Sequence, residues 1–244
     1  MSDLSIYKRQ RQSNEPQNEG DTSMKNLNNL LDDVLVDIIS RLDIKEAIRT
    51  NVLSKRWEYL WASKSDFDFE EGCNDMRYFM CIVDRAFASR NSSSINEFRL
   101  SCEVGHDDSH IKTWICAAVK RNVHAVNIIL DGVFVLPSCL LTCATLTSLC
   151  LCLPYDLRVP TPISLSALKF LVLDSVKFSA DNSIQKLLSG CPVLEKLEFC
   201  ECNWTKLSSL SISAPMLQSL EIIENLWFRS SKQFRWLSRC NFGN

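Results

Sequence analysis

The chain has 244 residues, 46% hydrophobic and 23% charged, with a formal net charge of −2. That is the composition of an ordinary soluble globular protein, long enough for one large domain or two smaller ones. It offers no strong electrostatic case for nucleic acid. The opening stretch MSDLSIYKRQRQSNEPQNEG contains no apolar run of the secretory kind, so the twelve cysteines are expected as reduced, buried thiols rather than as a disulfide framework.

Residues 1–25 are polar and rich in Gln, Asn, Ser and Glu, and predict a disordered tail. Lys8, Arg9 and Arg11 are too few to read as more than part of a solvated segment. Residues 26–72 then predict a small all-α unit. Val34, Leu35, Ile38, Ile39 and Leu42 form one apolar stripe, with Asp32 and Asp33 suited to a helix start. Asp43 and Glu46 resemble a capping pair opening a second helix that holds Ala47 and Ile48. Ser54 is placed to cap a third, in which Trp57, Leu60 and Trp61 share a face. Three helices between Leu27 and Ser63 are too small to bury a core alone, so the unit is expected to lean on a partner or on the rest of the chain.

Residues 73–225 predict two further amphipathic helices and a repeat. The first helix covers about Asp75 to Arg90, with Met76, Phe79, Met80, Val83, Ala86 and Phe87 on one side. The second covers Ser109 to Arg121, with Ile111, Trp114, Ile115, Ala118 and Val119 inward. The repeat is the pattern apolar-x-x-apolar-x-apolar. It begins at Ile95, Val123, Leu146, Leu168, Leu194, Leu207 and Leu217, at spacings of 28, 23, 22, 26, 13 and 10 residues.

The first four spacings lie in or near the leucine-rich-repeat range of roughly 20–29 residues. The last two leave room only for a turn. Each triplet predicts a short strand sending its middle and last apolar residues to one face. Stacked strands make a parallel sheet covered by connectors. One connector is a helix from Asp181 to Ser189, with Ile184, Leu187 and Leu188 inward, Gly190 as its C-terminal cap and Pro192 preventing continuation. Between Asp131 and Asp156 no residue is charged, but Pro137, Thr142 and Thr145 interrupt the run and its leucines belong to the repeat, so no membrane span is expected. Residues 226–244 show no repeat, and Leu226, Trp227, Phe228, Phe234 and Trp236 are available to cover the solenoid end.

Candidates for chemistry are sparse. His106-Asp107-Asp108-Ser109-His110 offers metal-ligand types, but in a position where a polar loop and a helix cap are expected. Cys150/Cys152 and Cys200/Cys202 are spaced C-x-C, and in a strand both members face the same way, filling core or groove positions. No glycine-rich phosphate loop and no G-x-S-x-G is present. The expectation is a protein without enzymatic activity, metal or cofactor.

The segments LLDDVLVDIISRL, KEAIRTNVLSKRWEYLW and DFDFEE, followed by IKTWICAAVKRNVHAVNI, LSALKFLVLDSVKF and LLSGCPVLEKLEF, resemble the plant F-box/leucine-rich-repeat family of the FBD type. The resemblance covers about residues 27–223. It implies a fold of the α/β class, a three-helix F-box followed by a leucine-rich-repeat horseshoe with irregular helical and turn connectors. It also implies that the family's C-terminal part is missing.

As a member of that family, the chain would be the substrate-receptor subunit of a Skp–cullin–F-box ubiquitin ligase, in the cytoplasm, the nucleus or both. The F-box would hold a Skp-type adaptor and through it a cullin, and the repeats an unidentified target protein. Carried over by motif position, the adaptor surface would use Leu30, Asp32, Asp33, Val34, Leu35, Ile38, Ile39 and Leu42, together with Val52, Leu53, Ser54, Trp57, Leu60 and Trp61. Trp57 would be its energetic anchor; alternatively the two tryptophans fasten the F-box to the first repeat. Leu31 stands where the family has proline, and the loss of that stiffening predicts weaker adaptor binding. A repeat protein acting outside any ligase, with a vestigial F-box, is the alternative function.

Overall fold

The computed structural model describes residues 30–61, 64–71, 76–88, 94–105, 108–178, 183–205, 210–224 and 237–238. The predicted tail, His106, Asp107 and the aromatic residues proposed as an end cover lie outside them.

Three short helices come first: α1 (Asp32–Ser40), α2 (Ile44–Arg49) and α3 (Lys55–Trp61), with a 3-10 turn at Thr50–Val52. Asp32 and Asp33 occupy the first turn of α1, where negative charge meets unpaired amides. Asp43 caps α2 by accepting a hydrogen bond from the Glu46 amide at 2.7 Å, as expected. Leu35, Ile39, Trp57 and Trp61 point inward and are at most 2% exposed. Helix α2 then packs against β1 (Asp66–Glu70) and α4 (Met76–Ala88) of the following domain, so the small unit borrows its missing core from the repeats.

Seven parallel strands form one sheet in the order β1 (Asp66–Glu70), β2 (Glu97–Glu103), β3 (Ala125–Asp131), β4 (Ser148–Cys152), β5 (Phe170–Asp174), β6 (Lys196–Cys200) and β8 (Ser219–Ile223). Helices α4 (Met76–Ala88), α5 (Ser109–Val119), α6 (Ser138–Leu141) and α7 (Ser183–Ser189) lie between them in sequence. The middle and last apolar residues of the triplets sit in register: Phe98 beside Val126, Leu149, Leu171, Leu197 and Leu220 in turn. The leading residues Ile95, Val123, Leu146, Leu168 and Leu194 are fully buried in the turns before the strands. The uncharged run 132–155 holds α6 and β4, and among the described residues no helix is long and apolar enough to cross a membrane.

Four expectations change. First, the triplet ending at Leu210 and Ile212 adds no strand to the main sheet. β6 pairs directly with β8, and β7 (Ser211–Ile212) instead pairs with β9 (Leu237–Ser238). The two short spacings are thus one repeat of ordinary length with a chance triplet in its connector. Second, a strand precedes the first triplet: β1 lies inside the stretch read as the all-α unit, yet pairs with β2, Phe67 beside Phe98 and Phe69 beside Leu100. Its triplet was hidden because Lys64 fills the apolar leading position.

Third, Cys116 of α5 and Cys139 of α6 form a disulfide, with Cα atoms 6.1 Å apart. That pairing follows from α5 packing on α6, which sequence spacing does not reveal. Fourth, Gly190 does not take the left-handed conformation of a helix cap. It is required because a Cβ there would meet Ile163 Cγ2 at 2.4 Å and the Ile163 carbonyl oxygen at 3.0 Å.

Aromatic side chains lock α4 to the first strands. Phe87 of α4 lies 5.5 Å from Phe67 and 5.8 Å from Phe98, centroid to centroid, in the edge and tilted geometries such rings favour. Trp114 of α5 packs on Phe79 at 5.9 Å and donates its indole N–H to Asp84 at 2.7 Å.

Candidate docking surfaces

Two surfaces of different chemistry stand out. The first is the outer face of the three helices. The Arg56 guanidinium reaches from α3 to the start of α1, donating to the Asp32 carboxylate and to the Leu30 carbonyl, both at 2.7 Å. This ties the entry of α1 to the entry of α3. On either side of the tie the apolar residues are exposed: Leu30, Leu31 and Val34 at the start of α1, and Val52 and Leu53 just before α3. Val52 is 89% and Leu31 74% exposed, so neither serves the interior. Lys64 makes a second tie, donating to the Leu42 carbonyl at the α1–α2 turn.

The adaptor-facing residues carried over from the family pattern divide in two. Leu30, Asp32, Asp33, Val34, Val52 and Leu53 are exposed, and Ile38, Leu42, Ser54 and Leu60 half-buried. Leu35, Ile39, Trp57 and Trp61 are buried. These four hold the helices together and offer a partner no surface. Trp57 is therefore a core residue of the unit. The periodicity showed which residues share a stripe, but a stripe is split between interior and exterior once three helices pack. Arg56 was missed because it is polar; its position one residue before Trp57, in the first turn of α3, was the available signal.

The second surface is the open face of the sheet. Strand residues alternate, with the inward set buried and the outward set half-buried or exposed. The pairing aligns the outward residues in rows. One row runs Asp66, Glu97, Ala125, Ser148, Phe170, Lys196, Ser219. The next runs Asp68, Arg99, Asn127, Cys150, Val172, Glu198, Glu221, and a third Glu70, Ser101, Ile129, Cys152, Asp174, Cys200, Ile223. Carboxylates crowd β1 and β2, where Arg99 lies 3.6 Å from both Asp68 and Glu97. On β3 to β5 the outward side chains include Ala125, Ile129, Cys150, Cys152, Phe170 and Val172, with Asn127, Ser148 and the Asp174 carboxylate among them. Lys196 sits between Glu198 and Glu221 at 2.5 and 3.2 Å, and hydrogen bonding to those carboxylates raises its pKa.

The cysteines of this face do not carry activated thiolates. Burial, followed by the negative charge of Asp174, pushes Cys150 up to about 11 and also raises Cys152 and Cys200. A nucleophilic or metal-binding cysteine needs the opposite shift. Cys202 does not share the face of Cys200. Glu201 takes a left-handed φ of 51° and turns the chain, so that Cys202 is buried and donates to the Leu173 carbonyl. Among the described residues no group of three or more His, Cys, Asp or Glu side chains is arranged to hold a metal ion.

A family model described as FBD-associated F-box protein At5g56370, LRR repeats, matches residues 111–234. FBD-associated F-box protein At3g52670 of Arabidopsis thaliana is 33% identical over 222 residues, covering 89% of this chain and 52% of that protein. F-box/LRR-repeat protein At3g59210 of the same plant is 34% identical over 216 residues, 83% of this chain and 45% of that protein. F-box/LRR-repeat protein At3g26922 is 32% identical over 205 residues, 82% of this chain and 67% of that protein. The chain spans about half the length of the first two.

Proposed function

The chain belongs to the plant family of F-box/leucine-rich-repeat proteins, and from that premise we propose that it is the substrate-receptor subunit of a Skp–cullin–F-box ubiquitin ligase. Residues 27–63 are its F-box, holding a Skp-type adaptor and through it a cullin. The open face of the sheet holds the target. The subunit acts in the cytoplasm, the nucleus or both, and has no catalytic step of its own. It raises the effective concentration of a target near an activated ubiquitin held elsewhere in the complex.

The observation that carries this reading is the apolar surface around the Arg56 tie. Leu30, Leu31, Val34, Val52 and Leu53 are exposed together on a unit whose interior is already filled by Leu35, Ile39, Trp57 and Trp61. Apolar residues that a fold leaves in one patch, on elements held rigid by a charged bridge, suit a partner's groove.

Co-expression with a Skp-type adaptor tests the proposal. The full chain is expected to purify in a stable complex with the adaptor, and a Val34→Asp, Leu53→Asp double variant to remain folded and lose it. Failure of the native chain to hold any Skp-type adaptor, or equal capture by the folded double variant, overturns the reading.

A further inference from the structure

We propose that the target presents to the open sheet face a segment with one bulky apolar side chain and, about 4–6 extended residues away, a short run of lysines or arginines. This rests on the reading that the sheet face holds the target, and it adds the chemistry and direction of what is held.

Carboxylates stand at both ends of the face, Asp174 on β5 and Glu198 and Glu221 around the single Lys196 on β6 and β8, but the denser group lies on β1 and β2. Asp66, Asp68, Glu70 and Glu97 project from β1 and β2, and the cation among them, Arg99, is shared between Asp68 and Glu97. An acidic segment docked there meets like charge, whereas a basic one gains ion pairs and is steered to the correct end. The apolar part lies farther along the sheet. Ile129 is 38% and Phe170 44% exposed, with the half-buried Val172 between the half-buried Cys150 and Cys152 strand and β6. These thiols are un-ionised at neutral pH, so they extend the apolar patch.

The spacing follows from sheet geometry. Phe170 of β5 is three strands from Glu97 and four from Asp66. At about 4.8 Å between strands that is roughly 14–19 Å, which an extended peptide rising about 3.3 Å per residue covers in about 4–6 residues. The denser carboxylate group lies at the β1 edge of the sheet, so the basic run of a bound segment points toward the three-helix unit.

The test is selection of a random 16-residue phage-displayed peptide library on the full chain, expressed together with a Skp-type adaptor and purified through a tag on the chain itself, followed by fluorescence anisotropy of the enriched peptides. Enriched peptides are expected to pair an aromatic or branched apolar residue with lysines or arginines at the stated spacing. Affinity is expected to fall at least tenfold for an Asp66→Lys, Asp68→Lys variant and for Phe170→Glu, and to weaken with added salt. Asp68→Asn, a smaller change in an exposed side chain, guards against misfolding and is expected to fall by less.

Enrichment of acidic or purely apolar peptides, no enrichment, or binding indifferent to both variants overturns the proposal. So does a dimer of the native chain that Phe170→Glu converts to monomer, since a second copy would then occupy the face. Adaptor capture is scored in the same preparations. Peptide selection without adaptor capture removes the ligase role and keeps this inference; adaptor capture without the expected peptides does the reverse.

Discussion

Arg56 donates to the Asp32 carboxylate across 24 residues of sequence, Nε to Oδ1 at 2.7 Å, and its other arm holds the carbonyl of Leu30. The bridge lies at the surface, with side-chain exposures of 35% and 67%, so its Coulombic part contributes little to stability. Its geometry matters more, since it sets where the exposed leucines stand. Arg56→Ala is expected to lower stability by about 1 kcal/mol and adaptor affinity by a larger factor than that loss predicts. Lysine cannot present a fork to two acceptors, so Arg56→Lys recovers only part. Urea midpoints at constant slope, beside adaptor titrations, check this; equal loss in both measurements sinks the positioning role.

Leu31 has a φ of −64° and ψ of 149°. That φ is the value a proline ring imposes, and Leu31 accepts from the Val34 and Leu35 amides through its carbonyl, a bond proline also makes. The backbone has therefore kept the helix entry of the family pattern without its proline. Leu31→Pro is expected to raise stability by about 0.4–1 kcal/mol, by restricting the unfolded chain, and to leave adaptor capture no weaker. A fall in melting temperature shows that the entry is not pre-shaped.

The exposed and buried halves of the three-helix unit separate binding from folding. Val34→Asp and Leu53→Asp place charge at positions 44% and 48% exposed and are expected to change stability by less than about 0.5 kcal/mol. Leu35→Ala empties a fully buried site and is expected to cost about 2–5 kcal/mol, and Trp57→Ala about 3–5 kcal/mol. Thermal melts and adaptor pull-downs on the same four variants check the division. Loss of binding by the buried pair alone would contradict it.

Leucine spacing made the sheet legible because each strand repeats one local rule: two inward residues, two positions apart, after a buried turn residue. The same rule hid β1, where Lys64 replaces the turn residue and instead bonds to the Leu42 carbonyl. It also put the strand at Ile212 in the main sheet, where β7 instead pairs with β9, because a triplet shows alternation but not which neighbour a strand pairs with. The exposed apolar patch of the three-helix unit was legible only in outline. Helical periodicity groups Leu35 with Val34 and Ile38, whereas the packing of α1 on α3 decides that Leu35 is interior and Val34 exterior. The Cys116–Cys139 pair is a tertiary contact with no local signature.

Three buried thiols make stability fall at alkaline pH. Burial pushes Cys102, Cys191 and Cys202 each up to about 12 from a usual 9.0, with Glu71 adding to the rise at Cys102. Between those values the unfolded chain has lost protons that the folded chain keeps, so the slope of stability with pH is negative. The contribution is complete below pH 9 and is lost progressively as pH rises from 9 toward 12. Replacing all three by alanine is expected to flatten that decline in a urea-midpoint series. Alkylation at pH 8 is expected to modify the exposed Cys81 well before these three, as mass spectrometry of the native chain can read.

Gly190 is the point where one repeat's connector touches the next. It follows α7, and its carbonyl accepts from the Leu165 amide at 2.8 Å, which brings residues 163–165 of the preceding repeat against it. A Cβ there would lie 2.4 Å from Ile163 Cγ2, 2.9 Å from its Cβ and 3.0 Å from its carbonyl oxygen. The first contact is with the end of a side chain that can move, but the last is with backbone that also anchors the Leu165 bond. Gly190→Ala is therefore expected to cost about 1–3 kcal/mol through overpacking. Ile163→Ala in the same chain removes Cγ2 and leaves the other two contacts, so it recovers only part of the loss. A double-mutant cycle of unfolding energies reads this as a coupling of at least about 0.5 kcal/mol. Strict additivity would mean that the two connectors do not press on each other and that Gly190 is needed for a different reason.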